Sequence, residues 1–120
     1  MADLKEFYQI GQVVADGDPI KSEYPDNVMV NETPRFTQSG DELYAQFHEA
    51  GAHLLRAIAL YLGLEENYFE SRIHNGNSIL RAIHYPPITT EPASAIRAEQ
   101  HEDINLITLL VGASAGGLQL

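Results

Sequence analysis

His101, Glu102 and Asp103 form the short segment whose residue types could do chemistry together. In extended backbone, side chains two residues apart point to the same side, so His101 and Asp103 project together while Glu102 faces away. A neutral imidazole nitrogen and a carboxylate oxygen on one side can bind a single cation. The spacing alone favours a solvated histidine and aspartate at the start of a strand, so a second signal is required.

One further histidine would complete a two-histidine, one-carboxylate triad, which holds Fe(II) and leaves three coordination positions open for substrate and O₂. His48 and His53 cannot share a metal ion on their own helix. They lie five residues apart in a predicted helix, about 140° apart around its axis. We expect both to be solvated side chains on the helix surface.

The composition restricts the class of protein. With 120 residues, a net charge of −10 and no cysteine, the chain has no basic stripe for nucleic acid and no thiol chemistry. A negative surface is repelled by anionic lipid, and the sequence shows neither a signal peptide nor an apolar run long enough for a membrane span. We expect a cytoplasmic domain that, if compact, exposes about 6,400 Å².

The sequence around residues 39–63 predicts the longest helix. Ser39 and Glu42 fit a capping box at its start. Apolar residues then recur at steps of three and four, as on one face of a helix. Gly63 supplies the left-handed residue that ends it. We therefore predict a helix over residues 40–62, followed by a shorter one over 65–72.

The rest of the chain predicts irregular structure first and strands later. One glycine and three prolines interrupt regular structure in residues 1–38. The apolar residues near position 7 could form a helical turn or two. In residues 78–85 the apolar residues recur every second position, which predicts a strand. Residues 104–111 and 118–120 are predicted to form further strands. The layout is α+β, an N-terminal irregular segment and long helix followed by antiparallel strands. Because so few strands cannot close a barrel, we expect a piece of a longer protein.

Three blocks carry a resemblance to a known family. They are Asn77-Ser-Ile-Leu-Arg-Ala-Ile-His-Tyr-Pro-Pro-Ile88, Gln100-His-Glu-Asp-Ile-Asn-Leu-Ile-Thr-Leu-Leu-Val111 and Gly116-Gly-Leu-Gln-Leu120. In this order and spacing they resemble the isopenicillin N synthase-like group of the Fe(II)/2-oxoglutarate-dependent dioxygenases, and Glu23-Tyr-Pro-Asp-Asn27 is similar to bacterial members. The resemblance implies an incomplete double-stranded β-helix, or jelly roll, beginning in residues 77–120, with residues 1–76 as helical and extended scaffold.

The resemblance also implies roles for individual residues. His101 and Asp103 match two of the three iron ligands, and Tyr85 matches a tyrosine that in many relatives binds the carboxylate of 2-oxoglutarate or of the substrate. A half-buried strand tyrosine is an equally good interpretation of Tyr85. Plant relatives often carry an asparagine where this chain has Ile83. The third ligand and an Arg-x-Ser motif would lie beyond Leu120, so we expect the chain to be inactive alone.

Two alternatives remain open at this point. One is an isopenicillin N synthase-type oxidase that uses Fe(II) and O₂ without 2-oxoglutarate. The other is a non-catalytic remnant or interaction module in which His101 and Asp103 are incidental. The expected partners are a small-molecule substrate and O₂, with no nucleic acid and no membrane, while the substrate and the oligomeric state do not follow from the sequence.

Overall fold

The structure, a computed structural model, joins a two-stranded sheet to one long helix. The elements in chain order are β1 (Glu6–Gly11), a 3₁₀ turn (Pro19–Glu23), α1 (Pro34–Tyr61), α2 (Glu70–Ile73) and β2 (Ile79–His84). The structure describes residues 4–90, 97–98, 100–104, 106–112 and 115–116. Within that part of the chain, no helix is both long enough and apolar enough to cross a membrane.

The sheet pairs the beginning of the chain with the segment before the proposed site. β1 and β2 are antiparallel, in a register that sets Glu6 opposite His84 and Gly11 opposite Ile79. The predicted strand over residues 78–85 is confirmed by β2. The prediction of irregular structure and helical turns near position 7 is wrong, since β1 is a strand. Its partner lies about seventy residues away, and a local pattern does not show such pairing.

Helix α1 begins six residues before its predicted start. Pro34 occupies the first turn, where its missing N–H and fixed φ are tolerated, and Thr33 is the N-cap residue. The predicted cap at Ser39 is therefore wrong, and Ser39 and Gly40 lie inside the helix. Gly40 is buried against the Ile10 side chain of β1. A residue without a side chain allows the helix to approach the sheet here.

The predicted end of α1 at Gly63 is confirmed. Gly63 has φ +71°, its N–H donates to Leu60 C=O at 3.1 Å, and Leu64 N–H donates to Ala59 C=O at 2.9 Å. These two bonds form a Schellman motif, which satisfies carbonyl groups that the helix itself leaves unpaired.

Two further element predictions differ from the structure. In place of a helix over residues 65–72, the chain forms turns and then the single helical turn of α2. In place of a strand over residues 104–111, the described residues 104 and 106–111 have no strand assignment. An apolar run becomes a strand only when a neighbouring strand pairs with its backbone groups. The predicted strand at residues 118–120 lies outside the described residues.

Apolar side chains are buried at three places among the described residues: on β1, just after it, and in the C-terminal half of α1. Among the described residues the buried apolar side chains are Ile10, Val14, Leu55 and Ala59. The chain exposes 10088 Å², against the expected 6,400 Å² or so for a compact chain of this mass. The surface is larger than that of a compact chain because large apolar side chains on the sheet, on α1 and among the described residues 104 and 106–111 stay exposed.

Candidate metal centre

His101 and Asp103 lie on the same side of their segment. Nε2 of His101 is 3.6 Å from Oδ1 of Asp103, and their side chains are 67% and 57% exposed. The segment 100–104 carries no regular secondary structure, so the local backbone rather than a sheet sets this arrangement. Both groups are within reach of an ion from solvent.

Thr108 holds the other oxygen of Asp103. Its hydroxyl Oγ1 donates to Oδ2 at 2.6 Å. In an extended strand, residues five apart would be separated by roughly 17 Å and would point to opposite sides. The contact exists because the chain bends at Leu106. The sequence does not indicate this contact of Thr108, since the predicted continuous strand points its side chain away from the aspartate.

The donor pair fits a divalent iron ion as two of its ligands. Imidazole nitrogen and carboxylate oxygen are the donors of the Fe(II) triad. Adjacent donors around an octahedral divalent ion with bonds of about 2.1 Å lie about 3 Å apart, close to the observed 3.6 Å. Within the described residues, no group of three or more His, Asp or Glu side chains could hold a metal.

Three of the other described histidines have different surroundings. His48 and His53 are exposed on α1 as predicted, and His48 stacks on Tyr44 with ring centroids 6.4 Å apart. His84 Nδ1 lies 3.0 Å from Glu6 Oε2 across the sheet, so this histidine contacts β1.

Tyr85 directly follows β2 and is followed by Pro86 and Pro87. Its side chain is 37% exposed, so its hydroxyl-bearing ring lies at the protein surface. Arg97 Nη2 donates to Pro86 C=O at 2.6 Å. This bond ties Arg97, which lies shortly before His101 in the chain, to the residue after Tyr85.

The turn before β2 is fastened to the N-terminal scaffold. Tyr24 donates its hydroxyl to Asn75 C=O at 3.2 Å, and Asn75 Nδ2 donates to Asp18 Oδ2 at 3.0 Å. From α1, Tyr44 donates to Ser78 C=O at 3.3 Å, and burial raises the pKa of this tyrosine above its usual value. These contacts hold the chain just before β2, and so help to set the position of Tyr85 at the other end of this strand.

Known proteins resemble this chain over most of its length. The 2-oxoglutarate-dependent dioxygenase htyE of Aspergillus rugulosus is 38% identical over 94 residues, covering 75% of this chain and 28% of that protein. The 2'-deoxymugineic-acid 2'-dioxygenase of Hordeum vulgare is 33% identical over 102 residues, covering 81% and 30%. No family model matches the chain.

Solved structures give the same result. A 2OG-Fe(II) oxygenase family protein from Caulobacter crescentus matches with a TM-score of 0.69 and 39% identity, covering 74% of this chain and 29% of that one. A full-length Neurospora crassa protein in complex with α-ketoglutarate matches with a TM-score of 0.57 and 30% identity, covering 70% and 25%.

These homologues and structural neighbours are 2-oxoglutarate-dependent Fe(II) oxygenases. In sequence and in fold, this chain is a homologue of those oxygenases over part of their length. It spans between 25% and 30% of each of the four proteins named here.

Proposed function

We propose that the protein containing this chain is a non-haem Fe(II)/2-oxoglutarate-dependent dioxygenase that oxidises a small-molecule substrate with O₂. The observation that carries the proposal is the approach of His101 Nε2 to Asp103 Oδ1 on one side of the chain. The homology to 2-oxoglutarate-dependent dioxygenases supports it. Neither nucleic acid nor membrane is part of the proposal, and the proposed location is the cytoplasm.

In this proposal each residue has a defined task. His101 presents Nε2 and Asp103 presents Oδ1 to the iron, and Tyr85 donates its hydroxyl to a carboxylate of 2-oxoglutarate. The bound metal would supply the redox chemistry that couples decarboxylation of 2-oxoglutarate to oxidation of the substrate. The remaining ligand comes from outside the described residues.

The proposal extends to the architecture around these residues. Residues 77–120 would begin an isopenicillin N synthase-like jelly roll, with residues 1–76 as its scaffold. In support, β2 is antiparallel to β1 and α1 packs behind the sheet through Gly40 and Ile10.

An anaerobic Fe(II) titration tests the metal-binding part. The protein is expressed from its complete gene, as wild type and as the His101→Ala, Asp103→Ala and His53→Ala variants. Removing a ligand should weaken Fe(II) binding by more than about tenfold, since even neighbours of metal ligands matter that much. The exposed helical His53 is the matched control and should leave binding unchanged. Equal binding by all four proteins would contradict the assignment and favour a non-catalytic module.

Calorimetry with 2-oxoglutarate under the same anaerobic conditions tests the co-substrate. The metal-loaded wild type should bind it, and Tyr85→Phe should bind it about tenfold more weakly, because a hydrogen bond to a charged group is lost. No binding by a wild type that holds iron would instead favour an oxidase that does not use 2-oxoglutarate.

A further inference from the structure

The carboxylate of Asp103 has its two oxygens in different environments. Oδ2 accepts the Thr108 hydroxyl at 2.6 Å, while Oδ1 faces Nε2 of His101 at 3.6 Å. The first of these contacts is within the short range expected for a hydroxyl donating to a charged acceptor. One oxygen is therefore engaged by the protein, and the other lies beside the imidazole.

We infer that Thr108 is a positioning residue that makes Asp103 a one-oxygen ligand of the metal. The inference rests on the proposed function, since it concerns the same ion. The terminal torsion of an aspartate is broad and roughly two-fold, so an unrestrained carboxylate can turn either oxygen, or both, toward a cation. The Thr108 hydroxyl removes that freedom by holding Oδ2 away.

The chemical consequence concerns the number of coordination positions that the metal ion keeps open. A carboxylate that binds through both oxygens occupies two coordination positions, whereas binding through Oδ1 alone occupies one. When the carboxylate binds through one oxygen, a six-coordinate ion held by three protein ligands keeps three coordination positions for small molecules. Thr108 thus protects the space that a two-oxygen co-substrate and O₂ would need.

Threonine is suited to this task by its shape. Its branched Cβ restricts the χ1 torsion, so the hydroxyl is held in few orientations. The bend at Leu106 brings it back to Asp103, and residues Ile107 and Leu109 on either side face α1, because a methyl group added to Gly51 would lie 3.7 Å from Leu109 and 4.0 Å from Ile107. Packing against the helix therefore anchors the segment that carries the hydroxyl.

The experiment compares Thr108→Val, Thr108→Ser and Thr89→Val with the wild type, all expressed from the complete gene. Anaerobic titration with Fe(II) alone measures affinity. Thr108→Val keeps the shape and removes the hydroxyl, so binding should weaken by about 10- to 100-fold. Thr108→Ser should return affinity close to the wild-type value. Thr89 lies in an exposed loop and serves as the matched control, with no change expected.

Infrared difference spectra give a second measurement that does not depend on activity. With carbon-13 carboxyl-labelled aspartate, the separation between the two carboxylate stretches on adding Fe(II) reports one-oxygen or two-oxygen binding. Wild type and Thr108→Ser should show the wide separation, and Thr108→Val the narrow one. Thr108→Ala provides the same test should the valine variant not fold, as judged by circular dichroism.

The outcomes separate the inference from the proposed function. If the His101 and Asp103 variants lose iron while Thr108→Val keeps wild-type affinity and spectrum, the role of Thr108 is wrong and the metal centre stands. If the His101 and Asp103 variants bind iron as the wild type does, the metal centre itself is wrong.

Discussion

At the scale of single residues, the sequence predicted which side chains meet but not what holds them. His101 and Asp103 do lie on one side, as two-residue spacing predicts. Their role as iron ligands stays a prediction. Thr108 could not be found in this way, because its contact depends on a bend at Leu106 that no local pattern indicates.

Tyr44 offers a prediction at this scale that depends on pH. Burial raises its pKa in the folded state, so the folded protein keeps the proton to higher pH than the unfolded chain. The contribution of Tyr44 to stability is therefore fully present below the ordinary tyrosine pKa of about 10 and is lost as the pH rises above it. Tyr44→Phe loses the hydrogen bond to Ser78 C=O, a loss of about 0.5 kcal/mol for a contact near the surface.

Urea unfolding at pH 7, 9 and 10.5 tests this prediction. The phenylalanine variant should be less stable than wild type at pH 7, and the difference should shrink or reverse at pH 10.5. His48 stacks on the same ring, so His48→Ala controls for loss of packing without loss of the phenol. A difference between wild type and Tyr44→Phe that does not change with pH would contradict a raised pKa.

At the scale of elements, local chemistry predicted ends better than beginnings. The Gly63 stop follows from a backbone conformation that few other residues adopt, and the structure confirms it. The predicted start of α1 is wrong because the sequence carries two competing start signals, a capping box at Ser39 and a proline at position 34. In the structure the helix begins at Pro34. Strand β1 was missed because its stability comes from pairing with β2.

The two glycines Gly51 and Gly63 give opposite predictions for one substitution. Gly63→Ala places a side chain at φ +71° and should lower the free energy of unfolding by about 1 kcal/mol. Gly51→Ala lies inside α1, where a methyl group would make ordinary contact with Leu109 at 3.7 Å. It should raise the free energy of unfolding by about 0.5–1 kcal/mol.

Urea unfolding followed by far-ultraviolet circular dichroism measures both variants against wild type. Each serves as the control for the other, since both remove a glycine's flexibility from the unfolded chain. Stabilisation by Gly63→Ala would contradict the Schellman ending, and destabilisation by Gly51→Ala would contradict the packing of Leu109 on α1.

At the scale of the whole molecule, the two main features are the net charge and the exposed apolar surface. The sequence predicts the charge directly, seventeen acidic residues against seven basic ones. It does not predict the exposed apolar surface, because burial depends on which elements meet. Phe7 and Ile83, opposite each other in the sheet register, are 53% and 45% exposed.

The charge leads to a prediction about salt. A net charge of −10 opposes the folded state through self-repulsion. Raising NaCl from 10 to 150 mM shortens the screening length from about 30 Å to about 8 Å. Exposed ion pairs such as Arg56–Glu70 at 2.7 Å weaken too, but each is worth less than about 1 kcal/mol. Repulsion should dominate, so the urea midpoint should rise with salt at unchanged slope.

Two variants in one acidic groove test the cause of the salt effect. Glu65, Glu66 and Glu70 line this groove together with Arg56. Glu66→Gln removes repulsion and should raise the urea midpoint at 10 mM NaCl, by a few tenths of a kcal/mol. Glu70→Gln also removes a negative charge but breaks the pair with Arg56, so it should stabilise less. A midpoint that falls with added salt, or a larger gain from Glu70→Gln than from Glu66→Gln, would show that attractive pairs outweigh the net repulsion.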